Sequence, residues 1–444
     1  MMKKGSFKKN TVWLLISEFY SLVIGVLVGP LSARTLGPQT YGNLVYAENV
    51  VSIFLTLSSL GMDSYIVAEL SANPDRDAST LGTALWLRLI SGIAGALLSI
   101  GTIFLLRPDQ KVIQLVVILE SVQIILTLYT VFSCWMQSRL LSQYLSLASV
   151  IAMTVSAAWK IYSAANHPDI YFFSLANVIR PAVYLAVISI VFFRLNPGIR
   201  LRYDPKLARY FLSRSWQFVL ASMGSLIYSK IDQIMVGDMI DSTSLAFYNV
   251  AVVLIGYWNT IPSAFITSAQ PVIIGMRNKD YKQYLRLYKE TLLGIALLGI
   301  AAILGALLLA KPVIVLLYGQ NYSASVGLFH ILIIASLFSM LGSTRMIWIV
   351  AEKYERYSKY FVYAGAVTDI VMNYVLIRLF GVAGAAWATV LTEVVVFLVA
   401  PLFFKETRIA NKYFFECWHV FPDLMLTMRN SMNSAKKKLK RDRS

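Results

Sequence analysis

Arg88, Arg180, Lys160 and Lys230, with Glu18, Glu120, Asp232, Asp369 and Glu393, each interrupt a long apolar stretch of the chain. An Arg at mid-bilayer costs about 2.5–3.5 kcal/mol even on a lenient insertion scale, so such a residue must face a wet cavity or a partner. A guanidinium makes bidentate, charge-assisted bonds to phosphate. Arg88 and Arg180 are therefore candidate binding groups for an anionic headgroup. The other outcome for either is an internal ion pair, for example Arg180 with Glu120. Arg34, at the outer mouth of the first apolar stretch, and Lys230 extend the cationic set. Pro181 follows Arg180 and removes a backbone donor, which fits a kinked helix opening onto a cavity. Buried carboxylates serve proton relays and cation sites in transporters. Glu18, Asp63, Asp232 and Asp369 are the candidates for coupling to a proton or to sodium. Asp63 also reads as a cap in a local break, Gly61-Met62-Asp63-Ser64.

The elements that carry these residues are apolar and long. Of 444 residues, 57% are hydrophobic and 14% charged. A helix needs roughly 20 apolar residues to cross a bilayer. About twelve such spans fit the sequence, at 11–32, 42–62, 81–106, 112–133, 145–165, 171–193, 213–234, 244–273, 290–310, 325–346, 358–377 and 382–403. Backbone polar groups in hydrocarbon must be satisfied within the segment, which leaves helices or a closed barrel. Barrel strands alternate weakly, and these runs do not. The expected fold is an all-α polytopic membrane protein.

The net charge of +17 follows topology. Of the 40 Lys and Arg, 31 fall in the N-terminus, the alternate connections and the tail, and seven fall on the opposite side. The remaining two are Arg88 and Arg180. That asymmetry is the positive-inside pattern and places both termini in the cytoplasm. It also attracts anionic membrane lipids, and it removes the need to invoke nucleic acid. The long basic connection containing Asn196-Pro197-Gly198 falls at the midpoint, with six spans on each side. A weak internal echo supports a duplication. Thr35-Leu36-Gly37 leads to Tyr46-Ala47-Glu48-Asn49-Val50, and Met235-Val236-Gly237 leads to Phe247-Tyr248-Asn249-Val250. Two six-helix lobes related by a pseudo-two-fold axis along the membrane normal are expected. The expected divisions are an N-terminal lobe (1–195), a cytoplasmic linker (196–212), a C-terminal lobe (213–404) and a basic cytoplasmic tail (405–444).

Several chemistries have no motif here. The chain has neither a GxxxxGK phosphate loop nor a GxSxG elbow, and its two cysteines and three histidines are scattered. No catalytic residue, metal site or cofactor is expected.

Three segments carry a resemblance. Ser32-Ala33-Arg34-Thr35-Leu36-Gly37-Pro38 with Tyr41-Gly42 resembles the first-loop signature of bacterial polysaccharide-repeat-unit flippases of the Wzx type. Pro312-Val313-Ile314-Val315-Leu316-Leu317-Tyr318-Gly319 with Tyr322 is similar to a segment of their second half. Asn373-Tyr374-Val375-Leu376-Ile377, followed by Gly381-Val382-Ala383-Gly384-Ala385-Ala386-Trp387-Ala388-Thr389-Val390, is similar to their most recognisable stretch. Arg378 departs from the pattern, which often has proline there. The resemblance implies membership of the multidrug/oligosaccharidyl-lipid/polysaccharide exporter superfamily, with a central cationic cavity and alternating access. It implies an undecaprenyl-diphosphate-linked oligosaccharide as substrate, flipped to the outer leaflet of a bacterial inner membrane for O-antigen or capsule synthesis. A polysaccharide polymerase and a chain-length regulator are the partners it suggests. Two other readings compete. A cation-coupled multidrug exporter of the same superfamily would favour an acidic or aromatic cavity. A membrane polymerase or glycosyltransferase would need larger extramembrane loops or an acidic catalytic cluster.

Overall fold

The computed structural model describes residues 4–421, and among them it contains helices and turns but no strand. Fourteen α-helices follow in order: α1 (Lys4–Ser58), α2 (Asp63–Ala72), α3 (Asp77–Leu106), α4 (Lys111–Leu126), α5 (Tyr129–Ser138), α6 (Ser142–Asn166), α7 (Ile170–Leu195), α8 (Pro205–Met239), α9 (Ser242–Met276), α10 (Tyr281–Tyr318), α11 (Ser325–Ala351), α12 (Ser358–Phe380), α13 (Val382–Val394) and α14 (Ile409–Glu416).

Ten helical stretches are long and apolar enough to cross a membrane. The first, Leu15–Ala72, has 58 residues, well over twice what one crossing needs. It breaks at Gly37, whose φ of 73° lies in the left-handed region that favours glycine. Pro38 follows, at a first-turn position where its missing N–H costs nothing. This break divides the stretch into the first two expected spans. At 35 residues α8 is also long enough, but Lys230, Asp232 and Gln233 dilute its apolar character. Counting the break and α8 restores the twelve spans. The break expected near Asp63 is present too, with left-handed Leu60 (φ 51°) and Gly61 (φ 60°).

Packing divides the chain into two compact units. The first comprises Met1–Asn249 and Val313–Ala324, and the second comprises Val250–Pro312 and Ser325–Ser444. In the first, α8 packs with α1. Asn49 donates to Gln233 (3.0 Å), and Tyr46 donates to Asp238 (2.8 Å). Arg107 donates to the same Asp238 oxygen (2.8 Å) and lies over the Tyr46 ring. A Cβ at residue 42 would run into the Ser242 backbone, so this glycine permits the contact. Segment 313–324 belongs here as well. Tyr322 donates to the Ala33 carbonyl (2.8 Å) and packs edge-on against Tyr41 and Phe247.

The second unit has a core of Tyr284, Tyr288, Leu292, Leu341, Trp348 and Phe397. Beyond α13 the helix widens into a π-turn at Val395–Val399. Arg345, 3% exposed, donates to the carbonyls of Val396 (3.1 Å) and Phe397 (2.6 Å) and lies over the Phe361 ring. After the last span, α14 docks back onto this core. Lys289 donates to Glu416 (2.6 Å) and thereby holds its carboxyl below the ordinary range.

Candidate functional site

A cavity of about 770 Å³ lies inside the first unit, walled by α1, α4, α5, α6, α7, α8 and the start of α9. Three cationic side chains line it: Lys160 from α6, Arg180 from α7 and Lys230 from α8. Glu48 is its only carboxylate among the lining residues. Asn49, Gln123, Asn177 and Asn249 add amides, and Tyr129 and Tyr184 add aromatic hydroxyls. The two rings pack edge-on at 4.8 Å between centroids.

The local sequence places these groups. α7 starts cleanly because the Asp169 side chain accepts the Tyr171 backbone N–H (3.1 Å). Pro181 then sits inside α7 and at the cavity wall. A proline there leaves the carbonyl of residue 177 without its intrahelical donor. The Asn177 side chain makes further polar contacts: its Nδ2 donates to Glu48 Oε1 (2.7 Å) and to Glu120 Oε1 (2.8 Å). Glu120 itself is fully buried.

The residues expected from the sequence are not all gathered at this site. Arg180 projects into the cavity and has no ion pair among the described residues. Lys230 lines the same wall and also borders a smaller apolar recess of about 120 Å³. Arg88 does not reach the cavity. It is 1% exposed and pairs with Asp63, so for this residue the internal ion pair is the outcome. The break at Leu60–Gly61 turns α2 so that its first-turn carboxylate meets α3. Asp63 is consequently engaged by a cation, although half of it remains exposed. Arg34 donates to the Leu316 carbonyl (3.3 Å), away from the cavity lining. Glu18 is exposed on α1 and also lies outside the lining. Asp232 is buried and accepts from Tyr248 (2.6 Å) and from the Gln233 backbone (2.7 Å). Asp369 belongs to the second unit, where it is buried and accepts from Asn373 (3.0 Å) and Thr392 (3.3 Å).

Lys160, Glu48 and Asn177 were not picked out from the sequence as site residues. For Lys160 the signal existed, since it is a cation within an apolar run. Glu48 precedes the Asn-Val pair that recurs at Asn249-Val250, where Tyr248 stands in its place. Nothing in the spacing of Asn177 marked it.

A wall with three cations and one carboxylate suits an anion, and amides and tyrosines suit hydroxyl-rich groups. Residues 7–276, more than half of the chain, match the polysaccharide biosynthesis protein family, and the chain belongs to that family. It is a multi-pass membrane protein of the polysaccharide-biosynthesis type. A Shigella flexneri protein described as "Putative O-antigen transporter" is 22% identical over 409 residues, covering 86% of this chain and 93% of that protein. Among solved structures, the lipid II flippase MurJ in an inward closed conformation is similar, with a TM-score of 0.68 and 15% identity over 94% of this chain and 93% of that one. An inward-facing multidrug resistance MATE transporter of the MOP superfamily is similar too, with a TM-score of 0.67 and 14% identity over 89% of this chain and 96% of that one. At such identities these two likenesses establish the fold, which is that of MOP-superfamily transporters.

Proposed function

We propose that this chain is a flippase that moves undecaprenyl-diphosphate-linked oligosaccharide repeat units from the cytoplasmic to the outer leaflet of a bacterial inner membrane. Both termini are cytoplasmic in this reading, and a polymerase that joins the flipped units is its natural partner. The observation that carries the reading is the cavity wall formed by Arg180, Lys160 and Lys230. The diphosphate meets these cations, the sugars take the amides and tyrosine hydroxyls, and the polyprenyl tail stays in lipid. Binding from one side and release to the other proceeds by alternating access. No covalent chemistry is assigned to any residue.

In this reading Arg180 and Lys230, both at the cavity wall, bind the diphosphate. Arg88, held by Asp63, positions α3 against α2 in the conformation described, and Arg34 ties α1 to segment 313–324. Asp232 and Asp369 remain candidates for a coupling ion on the strength of their burial. A multidrug exporter has the same fold, but three cations repel the cationic substrates such exporters would carry.

The test is transport by the purified protein in proteoliposomes. A fluorescent prenyl-diphosphate-linked oligosaccharide should become accessible on the opposite leaflet, and Arg180→Ala should slow this at least tenfold. Movement of a cationic dye with no movement of the diphosphate would support the exporter instead.

A further inference from the structure

Binding an anion at the cavity wall leaves Glu120 unused. This residue sits on α4, fully buried, and one of its oxygens accepts from Asn177. The same Asn177 nitrogen donates to Glu48, so two carboxylates share one amide. The second oxygen, Oε2, is buried with no hydrogen-bond partner among the described residues. Charged neighbours come from every side. Glu48 on α1 and Lys160 on α6 both act on Glu120, and Lys160 in turn feels Arg180 on α7. α3 also packs on α4, but its one intramembrane charge is Arg88, which is engaged with Asp63. The cluster therefore holds two carboxylates and a single ammonium, with one carboxylate oxygen stranded in the interior.

Two carboxylates sharing a site do not readily ionise together. The ammonium of Lys160 is what balances them, and Lys160 is also at the cavity wall. A diphosphate at the wall draws on that ammonium and adds negative charge of its own. We infer that Glu48 and Glu120 form a proton site linked to anion binding, so that a diphosphate engaging Lys160 and Arg180 brings one proton onto the carboxylate pair. The inference rests on the anion-cavity reading above. The proton comes from a buffer acid in bulk, whose conjugate base stays there, reaches Glu48 through cavity water, and forms an O–H bond at Glu120 Oε2, the stranded atom. No bond other than the buffer acid's bond to its proton is broken. By reciprocity the proton tightens the anion as the anion tightens the proton. Affinity for a diphosphate then rises as pH falls, by up to about tenfold per pH unit within the window where the site titrates.

The experiment uses the full chain in nanodiscs with farnesyl diphosphate as probe. Titration calorimetry in buffers of different ionisation enthalpy counts the protons taken up. Wild type is expected to take up close to one proton per probe bound, and Glu120→Gln to bind the probe with almost no uptake. Undiminished uptake in Glu120→Gln, or binding by wild type with no uptake, overturns the inference. Replacing sodium by choline should change nothing, and a sodium requirement for binding would also overturn it. Infrared difference spectra of the unliganded protein across pH give a readout that needs no probe. A protonated-carboxyl band should titrate in wild type, shift in Glu48→Gln and vanish in Glu120→Gln. A band unchanged in both variants overturns the site. Should farnesyl diphosphate fail to bind at all, the anion cavity fails, and the infrared bands alone decide whether Glu120 holds a proton.

Discussion

Each compact unit contains a large hollow, and the two differ in chemistry far more than in size. The cavity of the first unit, about 770 Å³, is lined by Lys160, Arg180, Lys230, Glu48 and four amides. The groove of the second unit, about 710 Å³, is lined by Phe265, Val272, Ile273, Leu287, Leu297, Leu298 and their neighbours, with Glu290 as its one charge. Even that charge is met locally, by Arg286 one turn away (2.9 Å). The buried cation of the second unit, Arg345, is absorbed by backbone carbonyls and rings rather than offered to a hollow. Equal volume therefore does not mean equal use. A polar solute fits the first hollow, whereas hydrocarbon fits the second.

The cations of the first unit are not alike either, and the largest expected effect comes from the one that avoids the cavity. Asp63→Asn leaves Arg88 buried without its counter-charge, which should cost about 3 kcal/mol of folding stability, since breaking a buried pair strands the other charge. Thermal unfolding in detergent and the level of folded protein in membranes should both fall. A variant as stable as wild type would mean that Arg88 is balanced by something other than Asp63.

Next is a direct contrast between the hollows. Leu298→Asp puts a carboxylate on the apolar groove within a membrane span, at about 2.5–3.5 kcal/mol. Gln123→Asp puts the same group on the polar cavity wall. The first should lower folded yield, and the second should fold normally while weakening anion binding, as ligand titration would reveal. If both variants fold equally well, the two walls do not differ as described.

Arg180→Ala removes a charge-assisted contact worth about 1.5–3 kcal/mol, or roughly ten- to a hundredfold in anion affinity. Arg180→Lys should recover part of it, because the charge survives and the planar fork does not. Export in cells at normal membrane levels of the variant is the check, and full activity of Arg180→Ala would remove this residue from the site.

The smallest effect lies outside the membrane. Pairing with Lys289 depresses the folded carboxyl of Glu416, so the pair stabilises the protein above the unfolded value of about 4.3. That contribution is lost as pH falls through the depressed folded value. For a pair open to water it is about 0.2–1 kcal/mol. Lys289→Ala should lower the melting temperature slightly at pH 7 and hardly at all under strongly acid conditions.

Much of this architecture could be read in the chain beforehand. The spans, the break at Gly37 and the turn near Asp63 follow from hydropathy and from residues with special backbone freedom. So does the identity of Arg180 as a cavity residue, because Pro181 beside it signals an irregular helix. Arg88 shows the limit. By composition it equals Arg180, but its fate depends on which way α3 faces and on where a preceding break aims Asp63. Glu48, Glu120, Lys160 and Asn177 come from four different helices. Their convergence is a product of packing, and no periodicity within one helix encodes it.

The widened turn at Val395–Val399 also bears on how this protein tolerates change. A π-turn holds one residue more than an α-turn, and one residue corresponds to about 100° of rotation around a helix. The widened turn absorbs that residue, so deleting a single position there would restore regular coiling and leave Pro401 and everything beyond it facing as before. The same deletion a turn earlier, in regular helix, would instead bring the last segment to Lys289 with the wrong side. The chain is thus expected to tolerate the loss of one residue at the widened turn with its C-terminal helix still seated, and not to tolerate it in the helix before.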